Sequence, residues 1–348
     1  MIDELILPLS TNSSQEAYLK ADEECAKLVT TWINARVEIV KEIFSTPFFE
    51  PTKYSYTNPE ALAIKITNIL TQRVFNFQSK KNLSLIIPKV CQNLVSQIQK
   101  RAPIQFFLLY NGGYRASSFP NKLSLIFEPD QTELMLLYQI GLLSKKITSL
   151  YEPGIDFFIV VNNGVAHWVN DISLISTEKY TNQLRRLIKL FGAERTIHVL
   201  LQSELDEFNP TFSFEPFQSL VLLSEKDHRI VERFLGRNCN HEEAKFRASL
   251  YKIAEAKWGE HLSSLIADKQ ALLLRQVPHP EMLSFRPFPG GAIRTQNGSF
   301  GFQYQKNKLN PKLITSESIK QYGVKWVPFD FSSVINKKPV NTVELING

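Results

Sequence analysis

A chain of 348 residues can bury one large α/β core with an extra helical layer, and a composition 43% hydrophobic and 21% charged excludes a disordered or fibrous protein. The 40 Lys and Arg against 34 Asp and Glu leave a net charge of +6, but the basic residues fall in scattered pairs such as Lys80-Lys81 and Arg185-Arg186, the pattern of solvated helix faces. No basic stripe interleaved with aromatics is present, so a nucleic-acid partner is not expected.

The isolated Cys25, Cys91 and Cys239 match neither zinc nor redox spacing and read as free thiols of a reducing compartment. The N-terminus is not signal-like and no stretch reaches membrane-spanning length, so a cytoplasmic protein that binds no membrane is expected.

In chain order, apolar residues recur at helical spacing from about Ser13 to Phe44, from Pro59 to about Arg73 and from Ile87 to Arg101. Residues 1–102 are therefore expected to form a helical region packed on the core. The apolar run from Ile104 to Tyr110 then ends at Gly112-Gly113, which is how a strand buried on both faces leaves its sheet. The same form returns in DFFIVVNNG from Asp156, TIHVLLQSE from Thr196 and ALLLRQVPH from Ala271. Helical patterns lie between these runs, from Asp130 to Tyr151, from Ser176 to Phe191 and from His241 to Gln270. Over residues 103–307 this alternation predicts an α/β, Rossmann-like, mostly parallel sheet with helices on both faces. Asn297-Gly298, set between alternating residues, predicts the turn of a C-terminal β-hairpin, and residues 308–348 are expected to wrap as a tail.

Ligands of open parallel sheets bind beyond the carboxyl ends of the strands, where helix N-termini carry partial positive charge. Four polar clusters fall there: Asn111 to Arg115, Asn162-Asn163-Gly164, Ser203 to Glu207, and Pro278-His279-Pro280. The glycine loop carries neither a dinucleotide nor a phosphate-loop fingerprint. Arg115 could still act as a fork for phosphate or carboxylate, and Arg275, in an apolar strand, requires either a ligand or a structural carboxylate. His279, framed by two prolines, is either a fixed proton-transfer group or part of a rigid corner. No two histidines have metal-ligand spacing and no nucleophile elbow occurs, so no metal or cofactor is expected.

Taken in order, Gly113-Tyr114 with Asn121 or Lys122, Pro129-Asp130 with Glu133, Leu150-Tyr151-Glu152-Pro153-Gly154, Tyr180, and Arg275-Gln276-Val277-Pro278-His279-Pro280 resemble the pattern of the isocyanide (isonitrile) synthases. The resemblance spans roughly residues 105–305. It implies a Rossmann-like enzyme of secondary metabolism that condenses an amino acid, of tyrosine or tryptophan type, with ribulose 5-phosphate, whose carbonyl carbon becomes the isonitrile carbon. It further implies His279, Tyr180 and Asn163 as catalytic positions, and Arg275, Arg115, Tyr114, Lys122 and Arg294 as substrate-binding ones. An iron- and 2-oxoglutarate-dependent oxygenase acting on the product is the implied pathway partner.

The chain departs from the family pattern where Ser117-Ser118 replaces Lys-Ser, where Asn163 replaces an Asp, and where Pro287-Phe288-Pro289 replaces Pro-Trp-His. An amide at 163 can hydrogen-bond but does not titrate as a base. Two other functions remain open: a noncatalytic member of the fold that binds a metabolite or partner protein, and a Rossmann-like transferase with a nucleotide-derived cofactor, its ribose held by Glu204, Asp206 or Glu207.

Overall fold

The computed structural model describes residues 31, 34–45, 58–76, 78–110, 115–116, 125–126, 129, 131–170, 173–205, 231, 240–267, 270–275, 282–286, 299–305 and 308–314. Helix α1 spans 34–45 and is followed by α2 (Pro59–Leu70) and α3 (Lys80–Gln99). Asn58 starts α2 by accepting the Ala61 N–H at 2.9 Å, and Pro59 sits in the first turn, where a missing N–H breaks no helical bond. Helix α3 starts seven residues before the expected Ile87, because Ser79 caps it by accepting the N–H of Asn82. Pro88, which suggests a helix start, instead lies inside α3 and removes one internal hydrogen bond.

Strand β1 (Ile104–Tyr110) is followed by a short antiparallel pair, β2 (Arg115–Ala116) and β3 (Leu125–Ile126). Then come α4 (Gln131–Thr148), β4 (Ile155–Val161), α5 (Asn163–Asn170), α6 (Leu174–Leu190), β5 (Ile197–Leu201) and α7 (Gln202–Leu205). Helix α8 (His241–Leu265) leads to β6 (Leu272–Arg275) and β7 (Leu283–Ser284), and the described chain closes with β8 (Ser299–Gln305) and β9 (Lys308–Ile314). No helix among the described residues is long and apolar enough to cross a membrane.

Five strands form one all-parallel sheet in the order β5-β4-β1-β6-β7, the α/β architecture expected from the sequence. Because strand side chains alternate between faces, each apolar run feeds two cores. Ile104, Phe106, Leu108 and Tyr110 of β1, with Ile155, Phe157, Ile159 and Val161 of β4, join α1–α4 and α6 in the larger one. Phe107, Leu109 and Val160 pack against Leu262 and Ile266 of the α8 segment in the smaller one. From β1 the chain moves outward to β4 and β5 with its helices on the first face, then returns past β1 to β6 through α8 on the second. That change of face with direction is what right-handed crossovers require.

The strand β7 has only two residues and escapes any pattern in the sequence. Its outer edge is closed by side chains of the α2–α3 connection. Asn76 Nδ2 donates to Ser284 O at 2.9 Å, Gln78 Nε2 donates to Met282 O at 2.9 Å, and Gln78 Oε1 accepts the Ser284 N–H at 2.9 Å. Two amide side chains thus stand in for a neighbouring strand along β7.

The C-terminal hairpin is present, but its turn is not at Asn297-Gly298. Gln305 pairs with Lys308 and Ser299 with Ile314, so the two strands join after Gln305 and β8 begins only at Ser299. The Asn-Gly step therefore precedes the first strand in sequence and does not join the pair. Strand β9 uses the first seven residues of the segment expected to wrap as a tail.

Candidate functional site

The strand order reverses between β1 and β6, whose carboxyl ends are Tyr110 and Arg275. Parallel sheets bind ligands at such switch points. On the larger-core face of this edge lies a buried acid. Glu133, in the first turn of α4, is 0% exposed, and its Oε1 accepts the hydroxyl of Tyr110 at 2.5 Å and that of Tyr180 at 2.8 Å. A carboxylate without water needs such donors, and the start of a helix further favours negative charge. Tyr110 closes β1 and Tyr180 projects from α6, so strand and both helices converge on one oxygen. This arrangement can hold and pass a proton between two phenols and a carboxylate.

Of the residues singled out in the sequence, Tyr180 and Glu133 are therefore brought together. Tyr110 belongs to none of the sequence motifs; its signal is a hydroxyl ending an otherwise apolar strand. Arg275 is 7% exposed at the end of β6, where it pairs in register with Leu109. Alternation from Leu272 and Leu274 in the larger core turns Arg275 toward the face opposite Glu133.

Asn163 opens α5 just beyond β4 and is 3% exposed. Its Nδ2 donates to Ser203 Oγ at 3.0 Å and its Oδ1 accepts the Ser203 N–H at 3.3 Å, a reciprocal clamp between the loops after β4 and β5. Beside it the Gly164 N–H donates to Gln202 Oε1 at 3.0 Å, an approach so close that a Cβ on residue 164 would meet that oxygen at 2.6 Å. Here the amide fastens the start of α5 to the start of α7.

Glu204 accepts from Arg185 Nη2 at 2.9 and 2.7 Å and from the Leu201 N–H at 2.8 Å. Burial opposes its ionisation, but the hydrogen bonds and charge of Arg185 and the Leu201 N–H outweigh it and hold the carboxyl below its ordinary range. It is committed to that ion pair, which leaves it poorly placed to bind a ribose. Leu150 to Gly154 lies at the opposite end of the sheet: Gly154 has φ +68° and accepts the Ile104 N–H, while Tyr151 donates to Ala102 O at 2.7 Å. That stretch is a structural corner.

Arg115 lies in β2, in register with Ile126 of β3, which places it on the segment that follows β1. Tyr114, Lys122, His279, Arg294, Asp206 and Glu207, together with Asn297-Gly298, lie outside the described residues.

No protein-family model and no curated protein matches the sequence. Among solved structures the chain is similar to the PvcA protein from Pseudomonas aeruginosa, at 18% identity and a TM-score of 0.61, over 81% of this chain and 99% of that one. The two share a fold.

Proposed function

We propose that the chain is an isonitrile-synthase-like enzyme that condenses an amino acid of the tyrosine or tryptophan type with ribulose 5-phosphate. The observation that carries this reading is the buried Tyr110–Glu133–Tyr180 cluster at the switch point, because it joins two positions on which the sequence resemblance rests. Similarity of fold to PvcA is in keeping with it. In this reading the amino group attacks the sugar carbonyl, and the cluster supplies and removes protons as the imine forms and the carbon–carbon bond breaks. Arg275 binds an anionic group of a substrate by its planar fork, with Arg115, Tyr114, Lys122 and Arg294 as further contacts, and His279 moves a second proton.

The purified chain, given ribulose 5-phosphate and each amino acid in turn, is expected to yield an isonitrile captured by tetrazine trapping. Absence of product with every amino acid, beside an active control enzyme, would sink the proposal. One observation favours a second reading, a noncatalytic metabolite-binding member of the fold. Asn163 stands where the family pattern has an Asp, and its amide is engaged by Ser203. Calorimetric binding of ribulose 5-phosphate without turnover would select that reading.

A further inference from the structure

From Leu283 to Arg286 the chain runs beside β6, with the Phe285 N–H donating to Arg275 O at 2.8 Å. Leu283 and Phe285 are buried in the larger core, so alternation turns Ser284 and Arg286 to the other face. Ser284 pairs in register with Arg275, which sets it beside that arginine at the ligand edge of the sheet.

Two polar atoms are left over on this face. Ser284 is 1% exposed and, among the described residues, neither its buried Oγ nor the buried Arg286 Nε has a hydrogen-bond partner. Buried donors without acceptors are rare in native structures and call for an explanation. A second guanidinium stands close by. The Arg286 N–H donates to Phe75 O at 2.7 Å, which fastens it to the turn at the end of α2, and that turn carries Arg73. Burial first, and then the charge of Arg73, lower the pKa of Arg286. Among the described residues no carboxylate pairs with Arg73 or Arg286 to offset this repulsion. Two adjacent cations and a hydroxyl, all with hydrogen atoms to donate, are complementary to an anion with several acceptor oxygens.

We propose that Ser284, Arg286 and Arg73 form a binding site for a phosphate-type oxyanion at the β7 edge of the sheet. A guanidinium fork meets two oxygens of a tetrahedral anion at once, and the serine hydroxyl supplies a donor to another. The group could arrive as free phosphate or as the phosphate of a larger molecule. Nothing in the site depends on isonitrile chemistry.

The test uses the full chain and inorganic phosphate, with chloride at equal ionic strength as the control. Binding is followed by calorimetry and by the shift of the thermal midpoint. Phosphate is expected to raise the midpoint where chloride does not, and Arg286→Gln should weaken phosphate binding about tenfold or more, the loss of one charge-assisted contact. Because Arg286 is partly buried, its replacement could disturb folding, so Arg73→Gln, at an exposed position, serves as the second variant. It should fold as the parent does and weaken phosphate binding several-fold. Ser284→Ala should retain the parent's stability without phosphate, since its hydroxyl has no partner among the described residues to lose. A parent chain indifferent to phosphate, or an Arg73→Gln variant that binds it as the parent does, would overturn the proposal. A parallel titration with ribulose 5-phosphate distinguishes the sources. Equal loss in the variants assigns the site to a sugar phosphate, and loss for inorganic phosphate alone assigns it to the free ion. Failure of tetrazine trapping leaves these outcomes untouched.

Discussion

Glu133 shows what a fully buried carboxylate demands of its neighbours. Its Oε1 accepts from two phenols on separate elements, so removing either leaves a buried oxygen less satisfied. Leaving a buried polar atom short of its partner costs about 1–3 kcal/mol. Tyr180→Phe is therefore expected to lower unfolding free energy by about that amount in urea titrations, and Tyr110→Phe by a similar amount. The double variant should cost less than the sum, because both hydroxyls serve one oxygen. Full additivity would show that the two tyrosines act separately.

Glu204 makes the opposite case, a carboxylate held ionised near the surface. Its folded pKa lies below the 4.5 of a free glutamate. The pair with Arg185 accordingly adds stability above about that pH and loses it as pH falls through the folded value. The two side chains are 38% and 39% exposed, so screening limits the contribution to about 0.5 kcal/mol. Glu204→Gln should flatten the acid limb of the stability profile by that amount and leave the neutral region otherwise parallel. An unchanged slope below pH 4.5 would contradict the assignment.

At the scale of elements, the edge of β7 is the point where side chains do the work of backbone. Asn76 donates to Ser284 O and accepts the Gln78 N–H at 2.7 Å, while Gln78 bonds Met282 O and Ser284 N–H. Truncating Asn76 leaves a buried carbonyl and a buried N–H unpaired, each worth about 1–3 kcal/mol. Asn76→Ala should thus lower the denaturation midpoint well beyond an ordinary surface change, with hydrogen exchange accelerated first at Gln78, whose N–H loses its acceptor, and next at Ser284. Uniform exchange along β6 and β7 would argue against an edge role. This is also where the sequence is least informative. Long strands buried on both faces write themselves as apolar runs, as in β1 and β4, whereas a two-residue strand and its amide cover leave no period to detect. The Asn297-Gly298 step misplaces the hairpin turn for a related reason: turn propensity is local, but pairing register belongs to both strands.

Across the whole molecule, the site is assembled from distant parts of the chain. Tyr110 and Tyr180 lie 23 and 47 residues from the glutamate they share, so only the order of the motifs, and not their spacing, hints at the contact. The N-terminal helices are equally bound into the fold. Val37 and Val40 of α1, Ile66 and Leu70 of α2, and Val90, Leu94 and Ile98 of α3 share one core with β1 and β4. Gln97 reaches further, donating to Gln270 O at 2.9 Å and accepting the Gln105 N–H at 2.7 Å, which ties α3 to the starts of two central strands. A detachable helical domain would show few such ties. Removing residues 1–102 is therefore expected to uncover the larger-core face of β1 and leave Tyr151 without its Ala102 acceptor. The shortened chain should keep far-ultraviolet dichroism, lose near-ultraviolet dichroism and bind a hydrophobic dye, as a compact state without fixed packing does. In the full chain the same reasoning requires one cooperative transition, with α3 and β1 losing exchange protection together. Two separate transitions, or a shortened chain with native near-ultraviolet dichroism, would show that the sheet and its remaining helices hold the Tyr110–Glu133–Tyr180 cluster without the N-terminal layer.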